Sequence, residues 1–256
     1  MHKIFAKPIF LGKKVVFLPQ CHSTNDELSL LSKEEILPEG TVIYTDHQVA
    51  GKGQRGNSWI DEPGKNVLLS LLLRPKRLMI KQQHYLNLIT GIAVVEVLRE
   101  YMEPTKLKLK WPNDVYIEGK KVAGILIESA IKGQNIDNAV VGIGINLNQL
   151  DNLPIRGISV RKALEPSSEP VDRLSFMEDL LAAIEKWYLK LSAGSFQLID
   201  QHYDDLLFWK NEVHTFRSDS LPFEGMIRGI NEYGRLKVET DDGVLIFDVK
   251  EVQFID

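Results

Sequence analysis

"TDHQVAGKGQRGNSWIDEPGKN", residues 45–66, holds Gly51, Gly53 and Gly56 in the spacing G-x-G-x-x-G. That spacing marks a dinucleotide-binding turn only where a strand runs into the glycines and a helix starts on them, its N-terminus facing a pyrophosphate. The strand is there, since "GTVIYTDH" (40–47) is rich in β-branched residues. The helix is not. "NSWIDEPGKN" (57–66) carries turn formers and Pro63-Gly64, with no apolar i, i+3, i+4 pattern. Nor does an acidic residue close a second strand at the expected distance, where the chain reads "LLLRPKR" (71–77). The doubly wound dinucleotide fold is therefore set aside. The glycines belong to a long mobile loop that sets Lys52 and Arg55 among backbone amides able to close over an anion.

Outward from this loop, the chain has 256 residues, which suits one large domain or one domain plus a small one. Its 44% apolar and 26% charged residues are ordinary for a soluble globular protein. The net charge of -4 supplies no basic field for sequence-independent nucleic-acid binding. One cysteine, Cys21, rules out an internal disulfide, and no Cys/His spacing resembles a zinc site. "MHKIFAKPIFLGKKVVFL" (1–18) lacks a continuous apolar h-region and a cleavage site, and the apolar run "NVLLSLLLRP" (66–75) is of strand length. A cytoplasmic protein without a membrane segment is expected.

Periodicity places strands at 13–19, 40–47, 66–73 and 138–148. A helix at 23–35 opens on a capping box, Thr24 with Glu27. A second, at 83–102, is amphipathic, with Leu86, Ile89, Ala93, Val97 and Tyr101 on its buried face. "KLKLKW" (106–111) alternates strictly, and a hairpin follows that turns at Glu118-Gly119. "EPSSEPVD" (165–172) precedes helices at 172–191 and near 195–208. Beyond them come short strands at hairpin spacing, turning at Asn231–Gly234 and at Asp241-Asp242-Gly243. The expected architecture is α+β, with residues 1–208 a catalytic-sized domain and 209–256 a small all-β module.

Three stretches carry chemistry. In "KWPNDVYIEGKKVAGILIES" (110–129), Pro112 ends or kinks the strand and leaves Asn113 and Asp114 at a rim, while Lys121 returns on the hairpin's second arm. An ammonium and a carboxylate from adjacent strands can bind a metal–phosphate group, or can simply form a salt bridge. In "HSTND" (22–26), Ser23 and Thr24 suit helix capping, and a capped N-terminus also offers hydroxyls and N–H groups to a polar ligand. In "VVGIGINLN" (140–148), Gly142 and Gly144 alternate on one face with Asn146. They imply close approach by a ligand or another backbone, or else a bulge. Cys21 and His22 point apart in a strand, so they make no nucleophile pair, and His47, His84, His202 and His214 are scattered.

The order "STN", "GKGQRG..W", "KWPND", "KKVAGIL.E", "GIGINLN" across residues 20–150 resembles the signature blocks of the biotin–protein ligases, or biotin–[acetyl-CoA-carboxylase] ligases. The resemblance implies a class II aminoacyl-tRNA-synthetase-like, biotin–lipoate ligase mixed sheet with flanking helices. It also implies a small C-terminal SH3-like β-barrel. Biotin and MgATP would give biotinyl-5′-AMP, and a lysine of a biotin carboxyl carrier domain would then attack the mixed anhydride. Ser23, Thr24 and Asn25 match the segment at the biotin head, Gln48 the glutamine at the ureido ring, and Gly51, Lys52, Gly53, Gln54 and Arg55 the loop over biotin and adenylate. Lys121 matches the lysine at the biotin carboxylate and α-phosphate and, with Lys52 and Arg55, is the implied catalytic group. Asn113 and Asp114 match the rim of the phosphate and Mg²⁺ site, with Asp114 the metal ligand. Trp59, Asn66, Gly124, Ile125 and Asn146 fall in stretches that wall in ligand, Gly124 toward biotin and the others toward the adenylate.

Two departures stand out. The family's loop is commonly GRGRRG; here Lys52 keeps the charge without the bidentate fork and Gln54 loses it. That second arginine position is associated with retaining the adenylate, so Arg55 or another cation is expected to take over, or biotinyl-AMP escapes more readily. The "STN" block begins at Ser23, which leaves no room for the winged helix of bifunctional members, so a monofunctional ligase without DNA binding is expected. Family members are monomers or dimers through the central sheet, and the sequence leaves that open. The rival reading is a lipoate–protein ligase, which would need neither the Gln48/Ser23–Asn25 set nor the C-terminal module. A non-catalytic biotin- or nucleotide-binding regulator would not need Lys121 and Asp114.

Overall fold

The computed structural model of the chain describes residues 5–165 and 167–255. Its centre is a seven-stranded sheet of β1 (Val15–Leu18), β2 (Val42–Thr45), β3 (Val67–Leu73), β4 (Leu107–Lys110), β5 (Asp114–Ile117), β6 (Lys120–Lys132) and β7 (Asn135–Ile145). The order is β1-β2-β3-β7-β6-β5-β4; β1 and β2 are parallel and the other neighbours antiparallel. Helix α1 (Thr24–Glu34) packs on one face over β2, β3 and β7. On the other face lie α2 (His84–Leu98), α4 (Arg173–Ser192) and α5 (Phe196–Leu206), with α2 directly on the sheet; a short α3 (Val160–Leu164), not foreseen from pattern, follows β7. Each expected segment overlaps its element, with end points displaced by a few residues; the strand expected at 138–148 begins earlier, at Asn135, and ends at Ile145.

The apolar run of β3 is continuous because both faces of the sheet are covered. Val67, Leu69, Leu71 and Leu73 enter the main core with α2 and α4, while Leu72 joins Leu28, Leu37, Ile43 and Val140 beneath α1. Helix α2 corrects the amphipathic expectation. It is apolar nearly all round, with Tyr85, Leu86, Leu88, Ile89, Ile92 and Val95 all buried, because it is held between the sheet, α4 and α5. Tyr101 lies beyond its end. The capping box at α1 is also corrected. Ser23 is the N-cap without a side-chain bond, and Thr24 is the first helical residue. At the far edge Glu185, 4% exposed, accepts the N–H groups of Ile9, Phe10 and Leu11 at 2.6, 2.8 and 2.9 Å and so fastens the N-terminal segment to α4.

The last segment is a five-stranded antiparallel sheet of β8 (Val213–Ser218), β9 (Leu221–Ile230), β10 (Leu236–Thr240), β11 (Gly243–Phe247) and β12 (Gln253–Ile255), ordered β11-β10-β9-β8-β12. Among the described residues no ladder joins β11 to β12, so the sheet is consistent with an SH3-like module but is not a closed barrel. It docks beside β4. Phe208 N–H donates to Leu109 O (2.9 Å), Trp111 Nε1 donates to Gly234 O (2.9 Å), and Lys110 Nζ lies 4.6 Å from the Phe254 ring centroid and 5.1 Å from that of Tyr116.

Two outcomes follow from this docking. Gly234 has φ +77°, and a Cβ there would meet His84 Cβ and Cγ at 2.5 Å. Gly234→Ala should therefore lower the urea unfolding free energy by more than about 1 kcal/mol. Burial lowers the His84 pKa to about 4. Between the unfolded value near 6.5 and 4 the unfolded chain holds more protons, so stability is full above that window and drains as pH falls through it. His84→Gln should flatten the fall of the urea midpoint between pH 6.5 and 4; an unchanged slope would show that His84 is not the group that titrates.

Candidate active site

A β-bulge sets the site's floor. In the β5–β6 ladder Tyr116 pairs with Lys121 but Val115 with Ala123, so Val122 is an extra residue. Counting by twos from the Glu118-Gly119 turn would put Lys121, Ala123 and Ile125 on one face. With the bulge, Lys121 shares its face with Gly124 and Leu126, while Val122, Ala123 and Ile125 join the core. The backbone of Lys121 finds other partners: its N–H donates to Arg156 O (2.8 Å) and its carbonyl accepts from Ile158 N (2.9 Å).

Asp114 sits opposite Gly124, and its carboxylate meets Lys121 Nζ at 2.7 Å. Burial pushes the Asp114 carboxyl up from its ordinary range, and the charges of Lys121 and Lys110 oppose that shift. The two side chains form an ion pair across the hairpin. Asn113, after the cis Trp111-Pro112 bond, clamps the same hairpin: its Nδ2 donates to Ile125 O at 2.6 Å.

At the other end stands a buried polar network. Gln48 Oε1 accepts from Thr24 N (2.8 Å) and Thr24 Oγ1 (3.2 Å); Ser70 Oγ lies 2.7 Å from Thr24 Oγ1 and donates to Asn25 Oδ1 at 2.6 Å. Asn25 Nδ2 donates to Glu128 at 2.7 Å. The Thr24 hydroxyl is thus occupied away from the helix, which is why the capping box does not form. Ser23, Thr24 and Asn25 are all buried. Cys21 underlies them, its N–H on His47 O (3.1 Å) and its thiol raised in pKa chiefly by burial.

The glycine loop is a compact excursion. Trp59 N–H donates to Gly51 O (2.8 Å) and Gly53 N–H to Asn57 O (2.7 Å), around a 3-10 turn at Gln54–Gly56. Lys52 Nζ reaches Asp26 on α1 at 2.5 Å. The Arg55 side chain lies outside what is described. Trp59 is laid across the sheet: a Cβ on Gly144 would come within 2.6 Å of its indole and one on Gly124 within 3.0 Å, while one on Gly142 would come within 2.2 Å of Asn25 Oδ1. The side chains of Trp59 and Asn25 lie against these glycines.

These parts line one cavity of about 260 Å³, from Ser23–Asn25 and Gln48 past Lys52, Gly53, Gln54 and Trp59 to Asn113, Asp114, Lys121 and Gly124. Gly51 lines a neighbouring pocket under the loop. Asn146 lies in an adjoining cavity of about 380 Å³ that shares Trp59 and Lys121. Of the expected wall residues, Asn66 lines neither cavity, and Ile125 lines the first but turns its side chain away. Asn66 is fully buried, its amide spent on Gln149 and Leu147 N–H. Ile125 is 2% exposed and points toward Gly91 of α2, so it offers the cavity backbone only. Sequence reasoning missed Ser70, a lone hydroxyl inside an apolar strand. It also missed Val252 and Phe254, by which the C-terminal module reaches the cavity. Among the described residues no group of three or more His, Cys, Asp or Glu is placed to hold a metal ion.

Gly144→Ala should dislodge the Trp59 indole at about 1–3 kcal/mol of stability. The check is a shift in tryptophan emission that vanishes when Gly144→Ala is made in a Trp59→Phe background; a shift that persists there would locate the disturbance elsewhere.

Comparison with known proteins agrees with this geometry. The model of the biotin/lipoate A/B protein ligase family matches residues 17–146, and that of the biotin protein ligase C terminal domain matches residues 215–253. The bifunctional ligase/repressor BirA of Bacillus subtilis (strain 168) is 29% identical over 236 residues, spanning 91% of this chain and 72% of that protein. The biotin–[acetyl-CoA-carboxylase] ligase of Paracoccus denitrificans is 29% identical over 249 residues, spanning 93% and 99%. A solved structure, the biotin protein ligase from Aquifex aeolicus in complex with biotin and ATP, superposes with a TM-score of 0.77 at 27% identity, over 95% of this chain and 100% of that one. With its family model covering residues 17–146, more than half its length, this chain belongs to the biotin/lipoate A/B protein ligase family.

Proposed function

We propose that the chain is an ATP-dependent, AMP-forming biotin–protein ligase. It joins biotin to ATP as biotinyl-5′-AMP, then passes biotin to a lysine of a biotin carboxyl carrier domain. The observation that carries this reading is a single cavity with a buried amide and hydroxyl network at one end and a lysine–carboxylate pair beside an indole at the other. Thr24, Asn25 and Gln48 suit the ureido ring, a polar head that lipoate lacks.

In the first step a biotin carboxylate oxygen attacks the α-phosphorus and pyrophosphate leaves. Lys121 draws the two anions together and stabilises the charge that builds on the phosphoryl oxygens. Lys52 and Arg55 add charge from the loop, and Trp59 shields the acyl adenylate from water. Trp59 Nε1 and Asn146 Oδ1, a buried donor and acceptor without partners among the described residues, suit the edge of a heterocyclic base. Magnesium would come with ATP: among the described residues lining the cavity Asp114 is the one carboxylate, and that donor set fits an ion held mainly by phosphates and water. In the second step the neutral carrier amine attacks the acyl carbon, AMP departs and the amine loses its proton. Residues 1–208 would house this chemistry and 209–256 wall it through Val252 and Phe254. No helix among the described residues is long and apolar enough to cross a membrane; action in the cytoplasm, where ATP is supplied, is part of the proposal.

ATP–pyrophosphate exchange with Mg²⁺ should proceed with biotin and not with lipoate or octanoate, and Lys121→Ala should slow it at least about 100-fold. Exchange with lipoate instead would transfer the chain to the lipoate branch. Exchange with none of the three would refute adenylation.

A further inference from the structure

Asp61 stands two residues beyond Trp59, where the glycine loop rejoins the body of the protein, and its side chain is 0% exposed. A carboxylate taken out of water is costly unless its oxygens are taken up by donors. Both are. Oδ1 lies 2.8 Å from His47 Nδ1, and Oδ2 accepts the Gln48 backbone N–H at 3.2 Å. These partners stand at the loop's outgoing end, so one buried side chain joins the two ends across the glycines. The Trp59 N–H to Gly51 O bond is a second rung beside it, and a Cβ on Gly51 would meet Trp59 O at 2.6 Å.

Gln48 is thereby held from two directions. Its main chain is fixed by Asp61 and by an isolated bridge to Cys21, and its side-chain carbonyl is fixed by Thr24 N–H and Oγ1. With the carbonyl committed, the Gln48 Nε2 amino group is the part left to meet a ligand, and its aim depends on where Asp61 holds the backbone.

We propose that Asp61 is a positioning residue for biotin: through Gln48 it sets the hydrogen-bonding geometry offered to the ureido head. This rests on the biotin reading above. A merely structural clasp would lower stability and weaken both substrates alike. A positioning residue acting through Gln48 weakens biotin selectively and loses its effect once Gln48 is gone.

The test is a double-mutant cycle read by biotin KM and ATP KM in the exchange assay. Asp61→Ala and Gln48→Ala should each raise the biotin KM about tenfold, as expected for a lost or misdirected buried hydrogen bond, with ATP KM altered less than about twofold. The double variant should be no worse than either single variant. Asp61→Asn, which keeps an acceptor for the Gln48 N–H, should restore biotin KM to within about threefold of the parent. Multiplicative effects in the double variant, or equal increases in both KM values, would overturn the proposal. In case Asp61→Ala does not fold, hydrogen exchange on the unliganded parent decides: the Gln48 amide must be protected, and exchange at the rate of an open loop would overturn it. Absence of biotin-dependent exchange in the parent would instead sink the ligase reading.

Discussion

In an antiparallel hairpin the face each side chain takes is set by its count from the turn, and one inserted residue re-addresses everything beyond it. Val122 is that residue, and the floor of the cavity depends on it. It leaves Lys121 facing Asp114, brings Gly124 rather than Ala123 beside them, and turns Ile125 into the core. The absent side chain at Gly124 is what lets the Trp59 indole lie close over the lysine. The bulge persists because the ladder it breaks is replaced by hydrogen bonds from Lys121 N–H to Arg156 O, from Ile158 N–H to Lys121 O and from Asn146 N–H to Val122 O.

On this floor the two lysines expected at the site are each paired, Lys121 with Asp114 and Lys52 with Asp26. The pairs differ in kind. Lys52 and Asp26 are both near half exposed, so their pair is a screened surface contact worth little by itself. Asp114 is deeper: burial raises its carboxyl pKa, and the charges of Lys121 and Lys110 oppose that shift. A phosphate arriving at Lys121 therefore competes with Asp114 for the same ammonium group.

Much of this was legible in the sequence, for stated reasons. The Glu118-Gly119 turn and the alternation of "KLKLKW" depend on neighbours in the chain, and both formed as read. The rejection of a helix after Gly56 held for the same reason. The misreadings were all non-local. Thr24 and Glu27 have the spacing of a capping box, yet Gln48 and Ser70 compete for the threonine and win. Helix α2 shows a 3.6-residue stripe, but it is covered on every side. Ile125 and Asn66 sit inside blocks that carry the family resemblance, and such a block gives the position without the direction its side chain takes. The bulge itself leaves no mark in "KKVAGIL", because Val122 and Ala123 are apolar on either face.

Cys21 has a bearing on how the protein can be handled. The chain's single thiol is 7% exposed and kept protonated by burial, so it is poorly reactive toward maleimides and oxidants in the folded state. A cysteine introduced on the loop tip or on the C-terminal sheet would then be the site of labelling without any need to remove the native one. Pairs of dyes or spin labels placed there can follow the loop against α1, and the module against the central sheet, in an otherwise intact chain. Cys21 would report in the opposite sense: its modification would signal that the strand beside Gln48 had opened.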